Sequence, residues 1–536
     1  MNVSFRNFEG KIIRKIEIQT IDPFAFSLAD SSILRKDFLS RTGNYLHIKS
    51  KNITIRNLLI IHQNKSFDSL LMKESIRLIR SCGFVHDVKF SVEMTSEYSD
   101  SVDVKIRISD NWSIFPRLTI SNSKIKLQVS DRNFAGLGQD YSNTIALNSE
   151  IGKCAYKTKY YIQNIKNSYI SASFLYETDE YNNYLKYIAL DRRFFSTQTK
   201  WAGGLNFSIQ YRKDSVLKNS ILIPLLYKLN RQDYWLGYSR QLLKGNTENS
   251  RSASIISSIR YMNIHFLEKP TVHADSFRIY TNEDFCFVGI GISIRKYIQD
   301  RFVFRYDVTE DVPIGKIFSM TLGMQNKNEI RRLYLGFRAS VGNYYNWGYL
   351  SFHCEYGTFY KLYHQEQGVL IFDINYFTKI KDIGNWKFRL FIKQKFTQGF
   401  NRFEYDSLTL NDGFGIDGFS SSQLSGIHRV IYAFQVQSYA PFNLWGFRFG
   451  PYANFSFGMI GHEDDGIFSG KIYSQFGLGV LIKNENLVFG TFQFSIAFYP
   501  NIPGLNKGVF KFNSFKSNDF GFSDYELKKP SNCIFQ

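Results

Sequence analysis

Residues 487–498 have the sequence Leu-Val-Phe-Gly-Thr-Phe-Gln-Phe-Ser-Ile-Ala-Phe, and this stretch decides the fold class. Successive side chains of an extended strand point to opposite faces. One face here is apolar and the other is small or polar, and the two sets are Val488, Phe492, Phe494, Ile496 and Phe498 against Thr491, Gln493, Ser495 and Ala497. This period of two predicts a β-strand with one apolar face.

The same alternation recurs between residues 112 and 536, for example in 430–437 and 447–457. A soluble β-sandwich or propeller and a transmembrane barrel both produce such a pattern. The barrel is favoured because the second face carries Gln, Arg, Asn and Ser, which a dry core would disfavour. Phe and Tyr also cluster at segment ends, as they do in the aromatic girdles of membrane barrels. We therefore predict an all-β, transmembrane, antiparallel β-barrel.

The overall composition excludes several classes of protein. The chain has 536 residues, of which 44% are hydrophobic, and that content excludes a disordered chain. No run of about 18 apolar residues is present, so a helical membrane protein is not expected. The net charge is +19, and its cations are spread along the chain rather than gathered in one stripe. This distribution favours an acidic membrane surface over nucleic acid as the partner.

Motifs that carry covalent chemistry are not found. The five cysteines include no Cys-x-x-Cys pair, and the nine histidines have no ligand spacing. Gly-x-Ser-x-Gly, Walker and His-Glu-x-x-His motifs do not occur. We expect no metal, no cofactor and no enzyme activity, although a Ser/His/acid set on a barrel wall remains open.

Residues 10–110 have a mixed pattern that differs from the rest. A strand at 11–18 precedes apolar positions at helical spacing in 53–63. A second helix begins at Asp68, a good N-cap, and stops near Gly83. Two alternating strands follow, at 85–94 and 102–108. The pattern predicts a β-α-α-β-β domain at 10–110 and a barrel at 112–536.

The junction of the two parts resembles a known superfamily. Asp110–Pro116 is followed by Asn133-x-x-Gly136-x-Gly138, and 194–204 has a similar turn-like composition. These stretches resemble the outer-membrane barrels that carry periplasmic POTRA domains, which include the assembly subunit BamA and the two-partner secretion pores. The resemblance implies one POTRA domain and sixteen barrel strands. It also implies a periplasmic turn at Asn133, Gly136 and Gly138 between the first two of those strands.

The resemblance also implies a lid loop folded into the lumen. The matching stretch contains Gly415, Asp417, Gly418 and Phe419, with Asp417 where the superfamily has Arg. The partner strand matches at Asn454, Ser456 and Gly458, with Ser456 where an Asp is expected. Both charges are missing together, which is coherent because one charge left alone would be costly. The absence of this pair leaves the usual lid lock in doubt.

The implied location is the bacterial outer membrane, with the POTRA-like domain in the periplasm. Met1–Phe5 has no charged n-region followed by an apolar stretch, so no secretory signal peptide opens this sequence. Either the protein is not exported, or this is a mature form. The remaining observations favour the second reading.

The expected function is outer-membrane protein assembly or insertion, without covalent chemistry. An edge strand with Val88, Phe90 and Val92 would bind unfolded clients by β-augmentation. A weak barrel seam between 112–120 and 510–527 would open toward lipid. The alternatives are a two-partner-type secretion pore and a scaffold barrel for a surface lipoprotein complex. Expected partners are unfolded outer-membrane or secreted proteins, accessory lipoproteins and acidic lipid or lipopolysaccharide headgroups, with no nucleic acid.

Overall fold

A computed structural model describes residues 5–23, 42–45, 47–96, 99–120, 123–218, 221–462, 470–484, 491–505 and 507–536. Its α-helices are α1 (Asn52–Arg56), α2 (Ser69–Arg80) and α3 (Glu248–Ser252). The first three strands are β1 (Ile12–Ile21), β2 (Val85–Met94) and β3 (Ser101–Asp110). Among the described residues, no helix is long and apolar enough to cross a membrane.

The remaining strands follow in chain order, and they are β4 (Ile114–Ile120), β5 (Lys124–Asp131), β6 (Gln139–Asn148), β7 (Lys153–Ile162), β8 (Ser171–Thr178), β9 (Tyr184–Arg192), β10 (Trp201–Lys218), β11 (Ile221–Gln241), β12 (Ala253–Glu268), β13 (Glu283–Arg301), β14 (Thr309–Lys327), β15 (Ile330–Tyr345), β16 (Gly348–Lys361), β17 (His364–Thr378), β18 (Lys381–Ile383), β19 (Trp386–Phe400), β20 (His428–Tyr439), β21 (Phe447–Gly461), β22 (Tyr473–Asn484), β23 (Phe492–Tyr499) and β24 (Val509–Phe512).

The small domain, residues 5–110, contains a three-stranded sheet in the order β1-β3-β2. β1 pairs with β3 in parallel, and β2 pairs with β3 antiparallel. Its elements run β1, α1, α2, β2, β3, the order that the sequence predicts. A core of its own lies between sheet and helices, and includes Ile13, Ile55, Met72, Phe90 and Ile106.

The second helix of this domain is well specified by its sequence. The Asp68 side chain accepts hydrogen bonds from the backbone N–H groups of Leu70 and Leu71, at 2.9 and 3.1 Å. This N-cap satisfies donors that have no partner inside the helix. The first helix is shorter than the predicted 53–63, because the chain after Arg56 makes turns that still bury Leu58 and Leu59.

β4–β24 form one antiparallel sheet that closes on itself, with β24 beside β4. β18 spans three residues, and β17 and β19 pair directly past it. In the part of the chain that is described, twenty strands therefore surround the lumen rather than the sixteen expected. The expectation of sixteen came from the resemblance, and it corresponds to about 26 residues for each strand with its turn. Residues 114–192 instead hold six strands of seven to ten residues.

The outer face of the sheet is apolar and exposed. One row of directly paired residues crosses four strands, and it consists of Leu118, Leu127, Ile145 and Tyr156. Another row crosses β12–β15, and it consists of Ile259, Val288, Leu322 and Leu335. In the opening stretch, Phe492, Phe494, Ile496 and Phe498 lie on this face, whereas Val488 lies outside the described residues. A continuous apolar belt of this kind suits contact with lipid rather than water.

Candidate functional site

The small domain lies against one end of the barrel, here called the small-domain end. Turns between successive strands at that end touch it one after another. The contacts are Thr54 Oγ1 to Gly136 O (2.9 Å), Asn164 Nδ2 to Asn57 O (2.7 Å), Arg77 Nη2 to Phe195 O (2.8 Å), Arg251 Nη1 to Asp68 Oδ2 (2.6 Å) and Arg80 Nη1 to Asp311 Oδ1 (2.7 Å). The domain is thus seated across the turns that follow β5, β7, β9 and β11 and against the start of β14.

A buried polar cluster joins the two parts. The Asp110 carboxylate, at the end of β3, accepts the backbone N–H of Ser50 at 2.7 Å and its hydroxyl at 2.8 Å. His47 Nε2 lies 3.1 Å from the same carboxylate. Asn133, on the first turn of the small-domain end, donates to Ser50 Oγ at 3.0 Å. Ser50 therefore connects the Asp110 carboxylate of the small domain to Asn133 of the barrel in one hydrogen-bond network.

The turn predicted at Asn133, Gly136 and Gly138 lies at this junction, between β5 and β6. It joins the second and third barrel strands rather than the first two, because β4 and β5 form a hairpin before it. Gly136 and Gly138 have φ of +73° and +63°. A Cβ at Gly138 would meet the Phe84 ring of the small domain at 2.6 Å. Glycine is therefore needed both for the backbone conformation and for the close docking.

The predicted edge strand, β2, does lie at the edge of the small-domain sheet. Val88 and Phe90 point into the domain core, and Val92 is half-buried against it. The strand begins against the barrel, where burial lowers the pKa of His86 to about 4 and Lys483 acts in the same direction. Its far end is open, since Glu93 and Met94 are exposed.

The lid loop, residues 401–427 between β19 and β20, folds into the lumen. Phe419 and Ile416 are fully buried there with Leu410. Gly458 on β21 makes room for them, because a Cβ at that position would lie 2.9 Å from the Leu410 side chain. The structure therefore brings the predicted loop residues onto the predicted partner strand.

Asp417 and Ser456, at the two substituted positions, line one cavity of about 450 Å³, which is also lined by Lys393, Lys395 and Asp519. Ser456 donates to Asn454 at 3.2 Å rather than to the loop. Burial and, after it, the Asp519 carboxylate raise the pKa of the Asp417 carboxyl to about 6, while the Lys393 ammonium acts in the opposite direction. The loop thus carries an acid where the superfamily pattern has a base.

Hydrogen bonds to main-chain carbonyls hold the loop in place of an Arg/Asp pair. The Tyr499 hydroxyl donates to Asp417 O at 2.6 Å, and Lys511 Nζ donates to Gly418 O at 2.8 Å. Arg429 Nη1 donates to Thr409 O at 2.7 Å. Each such bond contributes about 1 kcal/mol net. Nothing in the pattern of the resemblance signals these donors, which come from three different strands or their flanks.

A second element, residues 513–536, also lies inside the barrel; we call it the lumenal segment. The last strand was expected at 510–527, but β24 ends at Phe512. Side chains of the wall donate to carbonyls of the segment, and these bonds are Ser495 Oγ to Phe515 O (2.9 Å), Gln435 Nε2 to Ser517 O (3.1 Å), Lys393 Nζ to Phe520 O (3.0 Å), Ser293 Oγ to Tyr525 O (2.7 Å) and Arg260 Nη1 to Pro530 O (3.1 Å). Some of the polar side chains that face inward therefore bind the lumenal segment rather than water.

Two inward glycines of the wall accommodate this segment. A Cβ at Gly291 would lie 2.9 Å from Leu527, and one at Gly342 would overlap the Tyr525 hydroxyl. Tyr525 is fully buried and its hydroxyl lies 3.0 Å from that of Tyr349. The Gly289-x-Gly291 stretch, which has no helix after it, thus has a packing role.

A Ser/His/acid set does occur on the inner wall. Ser340 Oγ lies 2.7 Å from His353 Nδ1, and His353 Nε2 lies 3.5 Å from Glu355 Oε2. The second distance is beyond a hydrogen bond. Ser340 is only 2% exposed. The set therefore supports the wall beside the lumenal segment and offers a substrate no room at its hydroxyl.

No group of three or more His, Cys, Asp or Glu side chains that could hold a metal ion is found in the described ranges.

The seam of the barrel lies between β4 and β24. β24 spans four residues and pairs with β23 along all four. β13 and β14, by comparison, pair along nineteen residues. Since β24 spans four residues, it can offer β4 at most four ladder partners, no more than it shares with β23.

No protein-family model matches this sequence, and no curated protein matches it. Among solved structures, the chain is similar to BamA from Haemophilus ducreyi lacking POTRA domains 1–3, with 10% identity, a TM-score of 0.32, and coverage of 94% of this chain and 83% of that one. It is also similar to CdiB from Acinetobacter baumannii, with 10% identity, a TM-score of 0.42, and coverage of 94% and 73%.

CdiB from Escherichia coli is a third similar structure, with 9% identity, a TM-score of 0.42, and coverage of 94% and 76%. TM-scores this low carry no argument about function, so the function of this chain is inferred from its own geometry. The closed sheet, its apolar exterior and its occupied lumen stand on the strand pairings and burial described above.

Proposed function

We propose that this protein is an outer-membrane protein assembly or insertion factor without covalent chemistry. The observation that carries the proposal is the seam, where a strand of four residues closes the barrel. Apart from β23–β24 and the short β18, the other neighbouring strands pair over seven to nineteen residues. Fewer ladder bonds mean a smaller free energy for parting β4 from β24. A parted seam would present two strand edges to the membrane, on which a client strand can add.

The position of the chain after β24 supports the same role. At Asn513 the chain turns inward with φ of +50° and enters the lumen as the lumenal segment. Phe515 is anchored by Ser495 of β23 and stacks edge-on against Tyr452 of β21. The last strand is thus fixed on the side of β23 and lightly held on the side of β4.

The small domain would deliver the client. β2 is an edge strand, and its open backbone can bind an extended polypeptide whatever its side chains. The contacts of the domain with four barrel turns and with β14 would hold that edge close to the barrel. The apolar exterior and the charged loops are compatible with an outer membrane and acidic headgroups, with the small domain in the periplasm, and we include that location in the proposal.

The proposal is tested by reconstituting the full chain into liposomes and following the folding rate of a small unfolded client barrel. Acceleration over empty liposomes is expected. Two proline variants, Phe90→Pro and Lys89→Pro, provide matched controls, because neighbouring N–H groups point to opposite edges of a strand. One variant loses a ladder bond to β3 and the other loses an N–H on the open edge.

The variant that keeps the stability of the small domain is the informative one. Loss of acceleration in that variant supports client binding at the edge. Unchanged acceleration would eliminate the edge as the client site, and no acceleration by the wild-type protein would eliminate the insertase.

A second function, a secretion pore of the two-partner type, is favoured by one observation. The inward lysines of β5 and β7 are exposed, and among the described residues no hydrogen bond joins β4–β7 to the lid loop or the lumenal segment. Such an open sector can pass an extended chain. The scaffold alternative has no comparable feature in its favour.

A further inference from the structure

The inner faces of β5 and β7 carry a row of exposed lysines. The strand registers place Lys124 and Lys126 of β5 and Lys153, Lys157 and Lys159 of β7 on the side opposite to the apolar belt. All five are exposed, so they face the open part of the lumen. Arg117 of β4, also exposed, lies on the same face. This clustering could not be predicted from the sequence, because the cations are spread over three strands.

β6 lies between the two lysine-bearing strands and has short side chains on this face, namely Ser142, Thr144, Ala146 and Asn148, with one carboxylate, Asp140, near the small-domain end. Neighbouring strands are about 4.8 Å apart, so β5 and β7 are about 10 Å apart across β6. Long lysine side chains on both sides of a floor of short ones form a groove, which we call the basic groove. Its width suits one extended chain.

The basic groove runs along the barrel axis rather than forming a local patch. β7 enters from the far end at Lys153 and reaches Lys159 near the small-domain end, six residues further on. At about 3.4 Å per residue, these lysines span about 20 Å. A ligand bound along the whole groove would therefore connect the two ends of the lumen.

Acidic partners balance only part of this charge. Lys157 pairs with Glu177 at 2.9 Å, and Lys124 pairs with Glu180 of the β8–β9 loop. For Arg117, Lys126 and Lys153, the described residues provide no ion pair. A low-dielectric wall beside a narrow water-filled path focuses this positive potential.

We propose that the basic groove is the track of an extended polypeptide segment rich in Asp and Glu that crosses the lumen. Alternate side chains of an extended polypeptide repeat at about 6.8 Å, the same spacing as lysines two residues apart on one strand. Acidic side chains on either edge of such a segment reach β5 on one side and β7 on the other. The proposal rests on the second function, a pore, and names the chemistry of its cargo.

Other polyanions fit the groove less well. Single-stranded nucleic acid binders stack bases on aromatic side chains, and the inner faces of β5–β7 offer one aromatic residue, Tyr161. A double helix is too wide for a groove of about 10 Å. A lipid headgroup would occupy one level of the wall, whereas the lysines continue over its height.

The test is conductance of the purified full-length protein in planar bilayers. A KCl gradient should give a reversal potential of anion-selective sign, and poly-glutamate should block the current. Lys126→Gln with Lys159→Gln should bring the reversal potential toward zero and weaken the block at least tenfold. The matched control removes two charges from the opposite face of the sheet, as Lys186→Gln with Lys213→Gln, and should change neither quantity.

Cation selectivity, an absence of channels, or equal effects of the two double variants would overturn the proposal. Block by an oligonucleotide without block by poly-glutamate would assign the groove to nucleic acid and overturn it as well. The liposome assay measures client folding and so tests the insertase function separately. A failure of the groove therefore leaves client folding unchanged, and a failure of the insertase leaves selectivity unchanged.

Discussion

Replacing Asp417 by Asn should make the stability of the barrel less dependent on pH. The carboxyl lies in the cavity between the lid loop and the lumenal segment, facing Asp519. Its pKa rises from 3.8 to about 6, first because of burial and then because of the Asp519 carboxylate. Between these two values the folded protein keeps a proton that the unfolded chain has released. The free energy of unfolding therefore falls as the pH rises through this window.

The size of the effect follows from the shift. About two pKa units correspond to about 3 kcal/mol at most. The amide of Asn does not ionise, so Asp417→Asn should exceed the wild-type protein by up to that amount at pH 8 and match it near pH 4. The main-chain bond from Tyr499 to Asp417 O is the same in both proteins. Physically, the gain is the removal of a buried negative charge beside another carboxylate.

The assay is guanidinium unfolding of the protein in detergent micelles, from pH 4 to pH 8, followed by tryptophan fluorescence. The exposed turn residue Glu329 provides the control, since Glu329→Gln removes a carboxylate outside the cavity. If the free energies of unfolding of Asp417→Asn and the wild-type protein differ by a constant amount across this range, the raised pKa of Asp417 does not control the stability. A variant that is less stable at pH 8 would refute the same reasoning.

Three further variants test the packing of the lumen and of the junction. Gly342→Ala should strain the lumenal segment at Tyr525 by about 1–3 kcal/mol, which should speed maleimide labelling of the single buried thiol left in a variant that keeps only Cys533. Asp110→Asn should cost about 3 kcal/mol at the buried junction and loosen the small domain, seen as faster hydrogen exchange at residues 47–50. Tyr499→Phe should remove the bond to the lid loop, at a cost of about 1 kcal/mol, and speed exchange at residues 408–419.

Each of these variants has its own contrary result. Labelling of the thiol at the wild-type rate would mean that the segment tolerates a methyl group at the glycine. Gly83→Ala is the control for Gly342→Ala, since only the Arg132 side chain lies within 4 Å of a Cβ at Gly83. Unchanged exchange at residues 47–50 or 408–419 would show that the respective hydrogen bonds do not hold those segments.

Much of the fold could be predicted from local patterns of the sequence. A period of two is a property of the strand itself, so the alternation in 491–498 could assign an apolar and a polar face without any knowledge of neighbours. The N-cap at Asp68 is equally local, because its acceptor and donors lie within three residues. The lid loop and its partner strand, by contrast, were implied only by the resemblance, which left open whether the loop occupies the lumen without the Arg/Asp pair. In the structure, Asp417 of the loop and Ser456 of the strand line one cavity.

Quantities that depend on distant pairings were not available from the sequence. The strand number was wrong because a barrel may use strands of seven or of nineteen residues, and only the pairing shows where each one turns. The last strand was placed too far along, since 513–536 also contains apolar residues at strand-like spacing. Whether such a segment joins the wall or packs inside it depends on sockets such as Gly291 and Gly342, which lie more than 170 residues away.

The class of the protein, a β-chain with one lipid-compatible face preceded by a small α+β domain, could be predicted from the sequence, because side-chain periodicity is set by the backbone of each strand. What fills the barrel, where its seam lies and which cations share a groove became clear from the tertiary structure only. Those features arise from strands and segments far apart in the chain that closure of the sheet brings onto one inner surface, and no local pattern encodes that juxtaposition.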